Sequence, residues 1–283
     1  LISNKKFVRN MNMKKRNKII IRLVPTLAVM LCVTGVTHIQ AKNVYAKKTI
    51  TMTTKSIPSE IKKYSNYNKY TKYTVAFNYY MKQLEKAGGG KFIIKKGTYE
   101  MSNSVYIPSN VQVVLKNGVV LKNIYETGGA GYPPSNNVFS LCPPSKSKIK
   151  GSCKKVSGAK NISITGKGNA TIDNNFVEGG GTIVISHNKN VKVSGITFKN
   201  QNGGHFLEIT GVENVVIENC TFKGSKASTR AKNYMKEAIN LDTPDPETHG
   251  LNAVWVAQDR TDNKNITITN NVFDGVTRGV GTH

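Results

Sequence analysis

The stretch "EAINLDTPDPETHG", residues 237–250, places Glu237, Asp242, Asp245 and Glu247 within a short span, with His249 beside them. The chain as a whole carries only 16 acidic residues against 41 Lys and Arg. Two carboxyls that close could share acid and base work on a glycosidic bond. In an inverting hydrolase one protonated carboxyl donates to the leaving oxygen while another activates water across a gap of about 6.5–9.5 Å. Asp242 and Asp245 form the natural pair. The two prolines of "TPDP" also allow a rigid turn, in which Asp245 merely caps or meets solvent. Elimination would need a base beside a uronate carboxylate neutralised by a cation. His205 or Arg278 could serve there as base or neutraliser. No metal site is called; Ca²⁺ enters only if the chain is a lyase, with Asp242 and Glu208 as its holders.

A repeating phrase supplies the elements that must position these groups. The copies are "NVQVVLKNG" from Asn110, "NISITGKGN" from Asn161, "NVKVSGITF" from Asn190, "NVVIENCTF" from Asn214 and "NITITNNVF" from Asn265. A phrase of Asn, two β-branched residues two apart and a later Phe is the signature of a solenoid. The successive spacings are 51, 29, 24 and 51. The long gaps are read as two turns of roughly 25 residues each. Alternation puts Val191 and Val193, Val215 and Ile217, and Ile266 and Ile268 on one face of each strand, and that face must turn inward. One strand per turn, stacked about 4.8 Å apart, builds a parallel β-helix. Phe77, Tyr80, Met81 and Leu84 recur at helical spacing before "GGG" and predict a short N-terminal capping helix. Val193, Ile217 and Ile268 are predicted to be buried.

Aligning the inward pairs sets the register of a further strand row. Ile183 and Ile185 of "GTIVIS" fall beside Leu207 and Ile209 of "HFLEIT", then Ile239 and Leu241 of "EAINLD", then Val280 of "RGVGTH". His205, Glu237 and Arg278 then share one column, and Thr210, Asp242 and His283 another. The first column reads more simply as an internal ion stack that satisfies itself at a corner. Glu208, Asn240 and Asp242 face outward. The candidates are Asp242, Asp245, His205 and Arg278 for catalysis, and Glu208, Asn240, His249 and Trp255 for substrate binding. Trp255 could stack on a sugar face or pack within its own loop.

Helix, then "GGGKFIIKKGTYEMSNSVYIPSNVQVVLKNGVVL", then the Asn-Val-x-Ile phrases resembles the pectate-lyase-like superfamily of right-handed parallel β-helices, over roughly residues 71–283. That resemblance implies lyases, glycoside hydrolases, epimerases and noncatalytic surface proteins alike. "NLD" resembles the Asn-Thr-Asp element of its polygalacturonase-like branch, with Leu241 departing from it. His249-Gly250 resembles that branch's His-Gly element, and its paired Asp element is not evident.

The bulk properties point outside the cell. A basic run "KKRNK", an apolar stretch over residues 19–36 and "VYA" at residues 44–46 predict a cleaved export signal over 1–46. Arg22 and Pro25 interrupt a segment already marginal for spanning a bilayer, so no stable membrane span is expected after cleavage. Nine Lys and Arg lie in the signal and no acid does, leaving 32 against 16, a net +16. Such a surface attracts polyanions through long-range electrostatics. For an exported domain the expected partner is a polysaccharide, an acidic one above all, rather than nucleic acid. Residues 47–70 read as a mobile linker, and the β-helix domain as residues 71–283. Because "TRGVGTH" stops in an apparent strand, further turns are expected beyond residue 283. Cys142 and Cys153 bracket "PPSKSKIKGS" and could close a surface loop in an oxidising setting. Cys220 reads as a small packing residue.

The sequence thus predicts a secreted or cell-surface, all-β protein that acts on acidic polysaccharide by hydrolysis or β-elimination. The competing prediction is a noncatalytic wall or adhesion module that binds polyanions.

Overall fold

The computed structural model describes residues 48–227, 236–247 and 251–282. The signal segment, His249 and His283 lie outside them. The described residues form a parallel β-helix of three sheets and one α-helix. The first sheet stacks Thr49–Met52, Gly90–Ile94, Val111–Leu115, Lys160–Gly166, Lys189–Ser194, Glu213–Glu218 and Lys264–Thr269. The second stacks Gly97–Met101, Val119–Asn123, Thr171–Asp173, Thr197–Asn202, Thr221–Lys226 and Val272–Asp274. The third stacks Val105–Tyr106, Phe139–Ser140, Ile183–Ser186, Leu207–Thr210, Glu237–Asp242 and Arg278–Thr282. Neighbouring strands pair in parallel and in the register set by the apolar residues: Val191 beside Val215 beside Ile266, and Ile183 beside Leu207 beside Ile239 beside Val280.

Inward side chains fill the bore of the solenoid. Val193, Ile217 and Ile268 are buried as expected. Phe198, Phe222 and Phe273 stack with centroids 5.0 and 5.1 Å apart and nearly parallel ring planes. Such a ladder repeats one packing solution in each turn and removes large apolar faces from water. Cys220 is buried in the same core. The helix Lys72–Lys86 closes the N-terminal end of the bore, burying Phe77, Met81 and Leu84, with Phe77 edge-on to Phe92 at 5.1 Å. Gly88, at φ 76°, lies just beyond its end, where a left-handed residue stops a helix without Cβ strain.

The recurring Asn has a physical role that the phrase alone did not disclose. Asn110, Asn161, Asn190, Asn214 and Asn265 all sit in the left-handed region at φ 54–61°. Each turns the chain into a strand of the first sheet. The side-chain amide of each donates to the side-chain oxygen of the Asn one turn before, at 2.9–3.0 Å, from Asn265 back to Asn110. Asn tolerates this conformation, and its amide both donates and accepts, so one residue type serves corner and ladder together.

That ladder overturns the reading of the long gaps. Asn161 bonds directly to Asn110, and Asn265 to Asn214, while Val113 pairs with Ile164 and Val215 with Ile266. Each interval of 51 is therefore a single turn carrying insertions, not two turns. The insertions lie between strands, at residues 124–138 and 141–159 in one turn and at 227–236 and 243–263 in the other. Residues 47–70 also depart from expectation. Thr49–Met52 pairs with Gly90–Ile94 as the outermost strand of the first sheet, and Met52 and Ile61 are fully buried. The segment mixes Lys, Ser and Thr with only a few apolar residues, too few to show a period. Among the described residues no helix is long and apolar enough to cross a membrane.

Candidate functional site

The third sheet brings the predicted columns together. Glu208 pairs with Asn240, Thr210 with Asp242, and Glu237 with Arg278. Arg278 Nη1 donates to Glu237 Oε1 at 3.0 Å. His205 Nδ1 donates to the Glu237 carbonyl at 2.9 Å and stands 3.7 Å from its Oε2. Since a carbonyl can only accept, Nδ1 carries the proton, and Nε2 faces Glu208 Oε2 at 3.7 Å. Glu208 Oε1 accepts from Asn240 Nδ2 at 2.9 Å. Burial pushes the Glu208 carboxyl up to about 8, the Asn240 bond opposes this, and the negative charges of Asp242 and Glu237 add to it. Lys236 acts in the opposite direction. In the column of His205, Glu237 and Arg278, the Glu237 carboxylate is thus bonded to Arg278 and its carbonyl to His205.

The outward strand face is not an open platform. Asp242 is 3% exposed, Asn240 2%, Glu208 8% and Trp255 2%. Two of the insertions roof it. Leu251, Trp255 and Val256 from one, and Cys142 and Cys153 bounding the other, pack over Val184, which points outward from the third sheet. Trp255 is therefore a core residue of this roof and not a sugar platform; the loop-packing alternative is the one observed. Asp242 accepts from the backbone N–H of Thr243 at 2.7 Å, and its carbonyl accepts from Asn263 Nδ2 at 2.8 Å. Asp245 accepts from the Glu247 N–H at 2.8 Å, the two-residue side-chain turn expected of "TPDP". Arg260 reaches over the same turn, its N–H donating to the Pro244 carbonyl at 2.8 Å and its guanidinium pairing with Glu247.

His187 was not singled out by spacing or column, yet it ties the roof to the barrel. It is fully buried at a left-handed corner of φ 55°. Its Nδ1 faces the Lys155 carbonyl at 2.7 Å and its Nε2 the Ala257 carbonyl at 2.9 Å. Each carbonyl belongs to a different roofing insertion. The ring thus bridges the two roofing insertions from beneath. No signal in a single sequence distinguishes it from an ordinary corner residue.

The cysteines that bound the lysine-rich loop meet beneath it, Sγ to Sγ at 3.9 Å, both as free thiols. Their mutual contact pushes the two thiols in opposite directions, Cys153 down and Cys142 up, with burial adding to the rise of Cys142. The donor set for Ca²⁺ does not fit. Among the described residues no group of three His, Cys, Asp or Glu side chains is arranged to hold a metal ion, Glu208 is bonded to Asn240, and Asp242 is turned to its own backbone. Calcium favours six to eight oxygens from several such groups.

No family model matches the chain. It is 26% identical over 199 residues to the plasmin and fibronectin-binding protein A of Streptococcus pneumoniae, an alignment covering 66% of this chain and 26% of that protein. Two crystal structures of PfbA, described as a surface adhesin of Streptococcus pneumoniae, superpose with a TM-score of 0.56 each, at 22% and 21% identity. They cover 74% and 75% of this chain and 48% and 53% of theirs. The chain thus spans about a quarter of the curated relative it matches and about half of the crystallised chains, and at these identities the structural likeness establishes the parallel β-helix fold.

Proposed function

We propose that this chain is a noncatalytic adhesion module, exported by residues 1–46 to the cell surface, that holds acidic polysaccharide or a similar polyanion on its basic exterior. The observation that carries this reading is the roof. A hydrolase or lyase of this architecture needs its acid and base open to a polymer, whereas Asp242, Glu208 and Asn240 are buried and bonded within the protein. The charge lies elsewhere, with Lys148, Lys150, Lys154 and Lys155 exposed on the roofing loop and Lys160 exposed at the adjoining strand. The likeness to a surface adhesin supports the same direction. Long-range attraction of this kind is screened by salt. The mature protein is therefore expected to retain on immobilised polygalacturonate, less so on a neutral glucan, and to elute as salt rises. Neither new reducing ends nor unsaturated-uronate absorbance should appear. Turnover of either kind overturns the reading.

One observation favours glycan cleavage as a second reading, within the pectate-lyase-like superfamily that the sequence resembles. Glu208, raised to about 8, is protonated at neutral pH beside His205 and diagonal to Asp242. A carboxyl kept neutral by its surroundings can act as a general acid. In that case Glu208→Gln and Asp242→Asn each abolish turnover while leaving polymer retention intact; turnover that survives both removes the third-sheet site from consideration.

A further inference from the structure

The insertion 124–138 does something different from the roof. It folds back on residues 64–70 at the N-terminal end of the solenoid and leaves two adjoining open depressions there. One, of about 630 Å³, is lined by Lys69, Tyr70, Tyr125, Glu126, residues 127–130 and Pro134. The other, of about 710 Å³, is lined by Tyr64, Asn66, Asn68, Gly131, Tyr132 and Lys148, and shares residues 127–129 with the first. Tyr125 is 57% exposed and Tyr64 42%.

The floor is fixed by bonds that leave the rims free to bind. Asn68 Nδ2 donates to the Thr127 carbonyl at 2.7 Å, and its Oδ1 accepts from the N–H groups of Tyr70 and Thr71 at 2.8 and 3.2 Å. Thr71 Oγ1 donates to the Asn66 carbonyl at 2.6 Å. Gly128, at φ 75°, lies so close to this clasp that a Cβ would stand 2.9 Å from Tyr70 Cδ2 and 3.1 Å from Asn68 Nδ2. Gly129 and Gly131, by contrast, have open space where a Cβ would be. The result is a rigid, bare backbone shelf between tyrosine rings.

We infer that this shelf is an oligosaccharide-binding subsite for a short acidic glycan, with sugar faces against Tyr64 and Tyr125 and the acidic substituent toward Lys148. The inference rests on the reading of the chain as a glycan-holding module. An open trough with exposed rings, amides and bare glycine backbone suits a ligand that presents both C–H faces and hydroxyls along its length. An apolar small molecule would instead require an enclosed pocket. Charge sets the polarity of the trough. Lys69 lies over the Tyr70 ring at 4.6 Å and is partly answered by Glu126, whereas Lys148 opens onto the basic loop of residues 146–155.

Isothermal titration of the mature protein with tetragalacturonate and with a neutral galactose tetramer tests this. Tyr64→Ala and Tyr125→Ala, both at exposed positions, should each weaken tetragalacturonate binding roughly tenfold, about 1.4 kcal/mol, with unchanged thermal unfolding. Lys148→Ala should remove most of the preference for the acidic tetramer. A Lys116→Ala, Lys167→Ala double variant, altered at exposed positions outside the trough and the roofing loop, should bind both tetramers like the parent. If the tyrosine variants bind as the parent does while the double variant loses affinity, the shelf is not the site, although the adhesion reading survives. If the parent binds neither tetramer yet is retained on the polymer, the shelf inference falls alone; if it is retained on no polyanion, the adhesion reading falls as well.

Discussion

Replacing Asn214 by Ala and by Gly separates the two roles of the asparagine ladder. Asn214 donates to Asn190 and accepts from Asn265, each at 3.0 Å, and holds φ 59°. Both variants lose the two ladder bonds, each contributing about 0.5–1 kcal/mol at a half-exposed site. Alanine must also adopt a left-handed conformation, which costs roughly 1–2 kcal/mol. Glycine takes that conformation freely and costs only about 0.4–1 kcal/mol through its looser unfolded chain. The expected losses are about 2–4 kcal/mol for Ala and about 1–3 for Gly, with Ala the worse by about 1 kcal/mol. In an ordinary strand the order reverses, since Gly is there less stable than Ala by roughly 0.5–1 kcal/mol. Urea titration followed by circular dichroism and by the fluorescence of buried Trp255 measures both variants. At about 2–4 °C per kcal/mol for a domain of this size, thermal midpoints give a second reading. If Gly proves equal to or worse than Ala, the corner does not govern the position and the ladder account fails.

Ile217→Asp places an unpaired charge between Val193 and Ile268 in the core and should cost more than about 4 kcal/mol; an unchanged melting transition would mean that the strand faces are reversed. Glu208 has a folded value raised from 4.5 to about 8, so its contribution to stability is fully present below about pH 4.5 and is lost as pH rises toward 8. The loss is on the order of 5 kcal/mol at most, and His205, Glu237, Asp242 and Lys236 are the charged or titratable groups around the carboxyl. Glu208→Gln should flatten the dependence of unfolding free energy on pH across that window, and an unaltered slope would locate the titration elsewhere. Trp255→Ala should cost about 3–5 kcal/mol by emptying the roof, without weakening glycan retention. Protein isolated from an oxidising compartment should yield a peptide cross-linked between Cys142 and Cys153 under non-reducing mapping, and fully alkylated thiols at both positions would refute it.

The sequence by itself determined the solenoid, the inward face of its strands and the register of its third sheet, because those follow from interactions that repeat. A period of two places Val191, Val215 and Ile266 inside whatever the surroundings, and a shift of one residue would expose the whole set. The same rule put Glu208 beside Asn240 and Glu237 beside Arg278 before any coordinates. Repetition says nothing, however, about where a non-repeating insertion goes. An interval of 51 residues is compatible with two short turns or with one turn and its excursions, and only the bond from Asn161 to Asn110 distinguishes them. Once the excursions are single loops, they must pack somewhere, and two of them, within 141–159 and 243–263, pack on the outward face of the third sheet. Outward alternation on a strand therefore did not mean exposure. Tertiary structure alone buried Asp242 and Trp255, and made His187 a clasp between two loops distant in sequence. It also brought Tyr64 and Tyr125, which precede and follow the capping helix in sequence, to adjoining depressions, a meeting set by where the chain folds back and not by any spacing along it.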